Sequence, residues 1–145
     1  MAVPFRFDAV LRIRETERDK CRMSLAQSQQ REAELIAERT RIGEERQAVL
    51  DELRLMSDGS GISAERMLAR HQHAEHLSVE LVQIDEARKE VAATIAQCRA
   101  ALLEADTAVK ALEKLAGRHH EEQRRIDLVN DERDRDDSHR SGRAA

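Results

Sequence analysis

The chain has 145 residues, a formal charge of −4, 37% charged residues and 1% aromatic ones. With two Phe and no Tyr or Trp, it lacks the rings that fill a globular core of this size. Charges of both signs mixed with Ala, Leu and Gln, all good helix formers, point to long helices rather than a disordered chain.

The same counts exclude several function classes. No stretch approaches the roughly 18 apolar residues of a membrane span. Arg6, Asp8, Arg12 and Arg14 stand where a signal peptide needs an apolar run, so the expected compartment is the cytoplasm. Cys21 and Cys98 are too few for a disulfide scaffold and read as reduced thiols, small hydrophobes within a seam. The 25 Lys and Arg are interleaved with 29 Asp and Glu, so no segment offers the positive field that nucleic acid requires.

The first predicted element is a helix over about 5–56, free of Pro and interrupted only by Gly43. One seven-residue row in it reads Phe7, Arg14, Cys21, Ser28, Leu35, Ile42, Val49, Met56. Its companion reads Leu11, Arg18, Leu25, Glu32, Arg39, Arg46, Leu53. Polar intrusions make this face noisy; Ala26, Ala33, Ile36 and Leu50 mark a neighbouring apolar flank.

A turn follows over about 57–62, carried by Ser57-Asp58-Gly59-Ser60-Gly61. Leu55, Ile62, Met67 and Leu68 are expected to be exposed around it. Ser63 reads as the N-cap of a second helix over about 63–133. Its rows are cleaner: Met67, Ala74, Leu81, Arg88, Ile95, Leu102, Val109, Ala116, and Leu77, Ile84, Val91, Cys98, Ala105, Leu112, His119, Ile126. Fourteen of these sixteen positions are apolar, and the three-residue offset is the a/d pattern of a left-handed coiled coil. Residues 134–145 lack apolar periodicity and are expected to be a frayed or disordered tail.

These elements predict an all-α fold, an antiparallel two-helix coiled-coil hairpin forming an extended rod, with 1–133 as its single domain. Helices of about 50 and 70 residues would measure about 75 and 105 Å, leaving the end of the second unpaired beyond about Leu115. Folding at Gly59–Ser60 sets Leu35 against Ile84, Leu53 against Met67 and Phe7 against Leu112. It also sets Glu32 against Arg88 and Cys21 against Cys98, which favours a hairpin over a parallel dimer, where Arg88 would meet Arg88.

No chemistry is evident. His71 lies about 200° from His73 around a helix, so His71, His73 and His76 read as solvated positions rather than a metal site. His119 occupies a seam position. No Gly-rich phosphate loop, nucleophile elbow or Ser/His/Asp set is present, and two helices offer no concave pocket for a small molecule. The chain is read as a non-enzyme with no cofactor and no metal.

Two segments carry a resemblance. The first is Phe5-Arg6-Phe7-Asp8-Ala9-Val10-Leu11-Arg12-Ile13-Arg14-Glu15-Thr16-Glu17, followed by Leu25-Ala26. The second is Lys110-Ala111-Leu112-Glu113-Lys114-Leu115-Ala116-Gly117-Arg118-His119-His120-Glu121-Glu122, running on to Asp131-Glu132. Together they resemble the flagellar export protein FliJ family, whose members open with F-x-(F/L)-x-x-(V/L)-L-x-x-R. They close with K-x-L-E-x-L-x-x-R, then E and DE. Gly117 departs from the helix former expected there.

The resemblance implies a two-helix stalk of the flagellar type III export apparatus, similar to the central stalk of rotary ATPases. Its implied location is the cytoplasm, peripheral to the inner membrane at the flagellar base. Its implied partners are the hexameric export ATPase, the cytoplasmic domain of the export gate and export chaperones, with the free protein a monomer. Carried over, the ATPase-ring contact candidates are Phe5, Phe7, Arg14, Lys110, Glu113, Arg118, Glu122, Asp131 and Glu132. The bland reading of Phe5 and Phe7 is closure of the seam end against Leu112 and Leu115; that of Arg118 and Glu122 is an i,i+4 pair. Export-gate contact candidates are Leu53, Met56, Met67 and His71. A virulence type III secretion stalk and a generic dimeric coiled-coil scaffold are the alternatives.

Overall fold

The computed structural model describes residues 4–59, 61 and 63–144. Helix α1 spans Asp8–Ser57 and helix α2 spans Ala64–Arg143, and the described residues contain no strand. The two helices pack against each other in the two-helix hairpin expected from the heptad rows. Two compact units divide the chain: Arg22–Ala100, and Met1–Cys21 together with Ala101–Ala145.

Local chemistry sets the helix ends. At the start of α1, the Asp8 N–H donates to the Phe5 carbonyl at 3.1 Å and the Leu11 N–H to that of Phe7 at 2.8 Å. The Asp8 carboxylate also suits the positive end of the helix dipole. At the far end, Ser57 Oγ donates to the Arg54 carbonyl at 2.9 Å. Gly59 and Gly61 then take φ values of 101° and 54°, which a side chain would strain. Ser63 caps α2 as expected: its Oγ accepts the Arg66 N–H at 3.3 Å. Ser60, half of the expected folding point, and Ile62, expected to be exposed, lie outside the described residues.

In the unit Arg22–Ala100, Leu35, Ile42, Val49, Leu53 and Met56 of α1 bury themselves against Ala74, Leu77 and Ile84 of α2. Every one of these comes from the seven-residue rows. Met67, Leu81 and Val91, from the same rows, pack partly against the cluster. Each fully buried Leu or Ile contributes on the order of 1.5–3 kcal/mol over an exposed one, so this stripe is the main support of the unit.

Polar side chains clasp both flanks of that stripe. On one flank Arg39 Nε donates to Asp85 Oδ1 at 2.7 Å, and Arg46 Nε to Ser78 Oγ at 2.8 Å. On the other, His73 Nε2 lies 3.3 Å from Glu45 Oε1 and Arg70 Nε 3.4 Å from Glu52 Oε2. These partners are partly solvated and fix alignment more than they stabilise.

The alignment differs from equal folding at Gly59–Ser60. Glu32 and Arg88 line one groove with Asp85 and Lys89, but among the described residues no ion pair joins them, and Asp85 pairs with Arg39 instead. Cys98 Sγ sits 3.9 Å from Ser28 Oγ, so Ser28 takes the place expected for Cys21, one heptad away. Both cysteines are free. The physical reason is that a seven-residue repeat fixes which face is buried but is nearly blind to sliding along the axis.

In the other unit, Val109 is fully buried and Leu11, Leu102, Ala105, Leu112 and Ala116 are half-buried around it. Phe5 is half-buried, with its ring centroid 5.8 Å from that of Phe7 and 5.6 Å from that of His119. Past Gln123 every described residue of α2 is exposed. The segment from Asp134, expected to be frayed, is helical to Arg143, where the Ala144 N–H still donates to the Arg140 carbonyl at 3.2 Å. Apolar periodicity reports burial, and this segment buries nothing. Its helix is a continuation of a long nucleated one, to which each residue adds one backbone bond.

Candidate partner-binding surfaces

The ring-contact candidates all fall in the unit built from Met1–Cys21 and Ala101–Ala145. Phe5 is half-buried, while Phe7 is 40% exposed with the Arg6 guanidinium 5.6 Å from its ring centroid. Arg14 and Lys110 are exposed and tied to their own helices, Arg14 to Glu17 and Lys110 to Asp106, each at 3.0 Å. Glu113, Arg118, Glu122, Asp131 and Glu132 are exposed. Arg118 and Glu122 line a shallow groove with Glu121, Arg125 and Ile126, but no ion pair joins them among the described residues. Leu115, expected against the Phe rings, is 42% exposed.

This surface is therefore a helix of mixed charge with a few apolar side chains set into it. Ile126, Leu128 and Val129 are the apolar ones beyond the covered part, at 45%, 60% and 46% exposure. Leu128 and Val129 were missed because they fall outside both seven-residue rows. That they are apolar and off the rows is the signal that could have found them.

The turn half behaves differently from expectation. Leu53 and Met56 are core residues, 7% and 8% exposed, and Met67 packs on the same cluster. Side chains held there cannot meet a partner without opening the hairpin. His71 is exposed, as are Leu55 and Leu68 at 73% and 59%. Val79 and Val82 extend the exposed apolar surface of α2 at 54% and 62%. Leu68, Val79 and Val82 share one helix face at 100° per residue.

The histidines are dispersed. His73 pairs with Glu45 on α1, and His76 Nε2 lies 2.8 Å from Glu80 Oε1 on its own helix. Among the described residues no group of three His, Cys, Asp or Glu could hold a metal ion. No helix of the described residues is long and apolar enough to cross a membrane.

Two long helices packed against each other, with no strand among the described residues, define the class: an all-helical coiled-coil protein. The family model described as Flagellar FliJ protein matches residues 3–144, nearly the whole chain. The chain belongs to the FliJ family, a non-catalytic component of the flagellar export apparatus. No curated protein matches the chain. No solved structure matches it either.

Proposed function

We propose that this chain is the stalk and chaperone-escort component of the flagellar type III exporter, inserting into the hexameric export ATPase and stimulating it. The observation that carries the reading is the family match over residues 3–144 on a two-helix hairpin whose two end motifs lie in one unit. Phe5, Phe7, Arg14, Lys110, Glu113, Arg118, Glu122, Asp131 and Glu132 supply the ring contacts. Gate contact falls to the exposed turn-half side chains, His71 together with Leu55 and Leu68. Leu53, Met56 and Met67 act there as the core that holds the surface in place. The protein works in the cytoplasm against the inner membrane, as a monomer that also meets export chaperones.

Mixed with its cognate export ATPase, the protein raises ATP hydrolysis and ring assembly. Arg118→Glu and Glu132→Arg weaken both effects while far-ultraviolet circular dichroism stays unchanged. A clean preparation that affects neither hydrolysis nor assembly, with normal motility in a deletion strain, sinks the reading.

A further inference from the structure

Gly117 lies inside α2, where neither space nor backbone calls for a glycine. Its φ is not positive, and apart from its own turn of helix no atom lies within 4 Å of where a Cβ would sit. An alanine would fit and would strengthen the helix. Gly43 is also unconstrained sterically, but it lies between Arg39 and Arg46, each bonded across to α2. Val109, Leu112 and Ala116 before Gly117 are buried or half-buried, whereas beyond Gln123 every described residue of the helix is exposed. Just past Gly117, Phe5 makes an aromatic hold on α2: its ring is tilted 50° to that of His119 at a centroid distance of 5.6 Å.

Phe5 itself precedes α1 and joins it through Arg6 and Phe7, so drawing it away costs the bond from the Asp8 N–H to its carbonyl but leaves the rest of α1 intact. We propose that Gly117 is a joint in α2 and that Phe5, seated on His119, locks it. With Phe5 in place the segment from Glu121 to Arg143 continues α2 directly. With Phe5 drawn away, the helix opens at Gly117 and the segment moves as one piece. The joint is weakest in helical terms where a removable aromatic contact guards it, so movement is confined to the exposed end of α2. This goes beyond any assignment of partners, and it is tested on the protein alone.

Hydrogen exchange on the full-length chain reads the joint. Phe5→Ala speeds exchange over residues 118–133 by about fivefold, the factor a single glycine costs a helix. Exchange over 102–109 stays as in the wild type. Gly117→Ala slows exchange over 118–133 and reduces the effect of Phe5→Ala to about twofold or less, since neighbouring effects that act through one element are not additive. Gly43→Ala, the control for helix strengthening in general, leaves the Phe5→Ala effect at full size. The lock is overturned if Phe5→Ala leaves 118–133 unchanged or speeds 102–109 as much. The joint is overturned if Gly117→Ala leaves the Phe5→Ala effect intact or Gly43→Ala suppresses it equally. Phe5→Leu, which keeps apolar cover without the ring, gives an intermediate rate and guards against loss of the N-terminal fold as the cause.

Discussion

Arg39 reaches across the seam to Asp85 through two donors, Nε at 2.7 Å from Oδ1 and Nη2 at 3.5 Å from Oδ2. The Arg39 hydrogen bond holds the Asp85 carboxyl below its ordinary value of 3.8; burial opposes this, and the charges of Arg39, Arg88 and Lys89 add to it. The same bond raises the Arg39 guanidinium. A carboxyl whose folded value lies below its unfolded one stabilises the fold above the unfolded value and loses that contribution as pH falls through the folded one. Asp85→Asn therefore lowers the thermal midpoint at neutral pH. The gap to wild type closes as pH drops below about 3.8 and narrows with added salt. Melting curves of both proteins from neutral to acid pH decide it; a gap that persists in acid would mean the pair does nothing here.

That pair also marks the limit of what the sequence reveals. The seven-residue rows name the buried face well: from Met67 to His119 each of their positions on α2 is buried or half-buried. The turn glycines and the Ser63 cap follow equally from local chemistry. Alignment along the axis does not, because Arg39 can reach one partner or the next along α2 at almost the same apolar burial. The tail failed for a related reason, since exposed helix has no periodic signal. Of the gate-contact candidates, Leu53 and Met56 lie on the same rows that predict their helix and are core residues, while His71 lies off the rows and is exposed.

The division between core and surface at the turn half is measurable. Leu53→Ala removes a side chain that is 7% exposed and costs about 2–5 kcal/mol by leaving a cavity. Leu68→Ala removes one that is 59% exposed and costs within about 0.5 kcal/mol. In pull-down with the cytoplasmic domain of the export gate, Leu68→Ala weakens capture with the melting curve unchanged. Leu53→Ala weakens capture only in step with lost helicity. Equal stability of the two variants would remove Leu53 from the core.

Ser28 and Cys98 offer a direct probe of alignment. Their Oγ and Sγ atoms lie 3.9 Å apart across the seam. With Cys21→Ala in place to leave one native thiol, Ser28→Cys forms an intramolecular disulfide with Cys98 under mild oxidant. The product migrates as a compact monomer in non-reducing electrophoresis and returns to wild-type mobility on reduction. A purely intermolecular product would show that residues 28 and 98 do not face each other within one chain.

The last stretch of α2 separates helix content from stability. From Asp134 to Arg143 every residue is helical and exposed, with no buried side chain. Arg140 and Arg143, in the last turn, suit the negative end of the helix dipole. Backbone bonds gained there are exchanged against bonds to water, so the segment adds helix without adding much to the folded state. A chain ending at Arg133 keeps its thermal midpoint to within a change of about 0.5 kcal/mol in stability. Its total helical ellipticity falls in proportion to the residues removed. A large drop in midpoint would show that this segment packs on something, and would place a partner surface between Asp134 and Arg143.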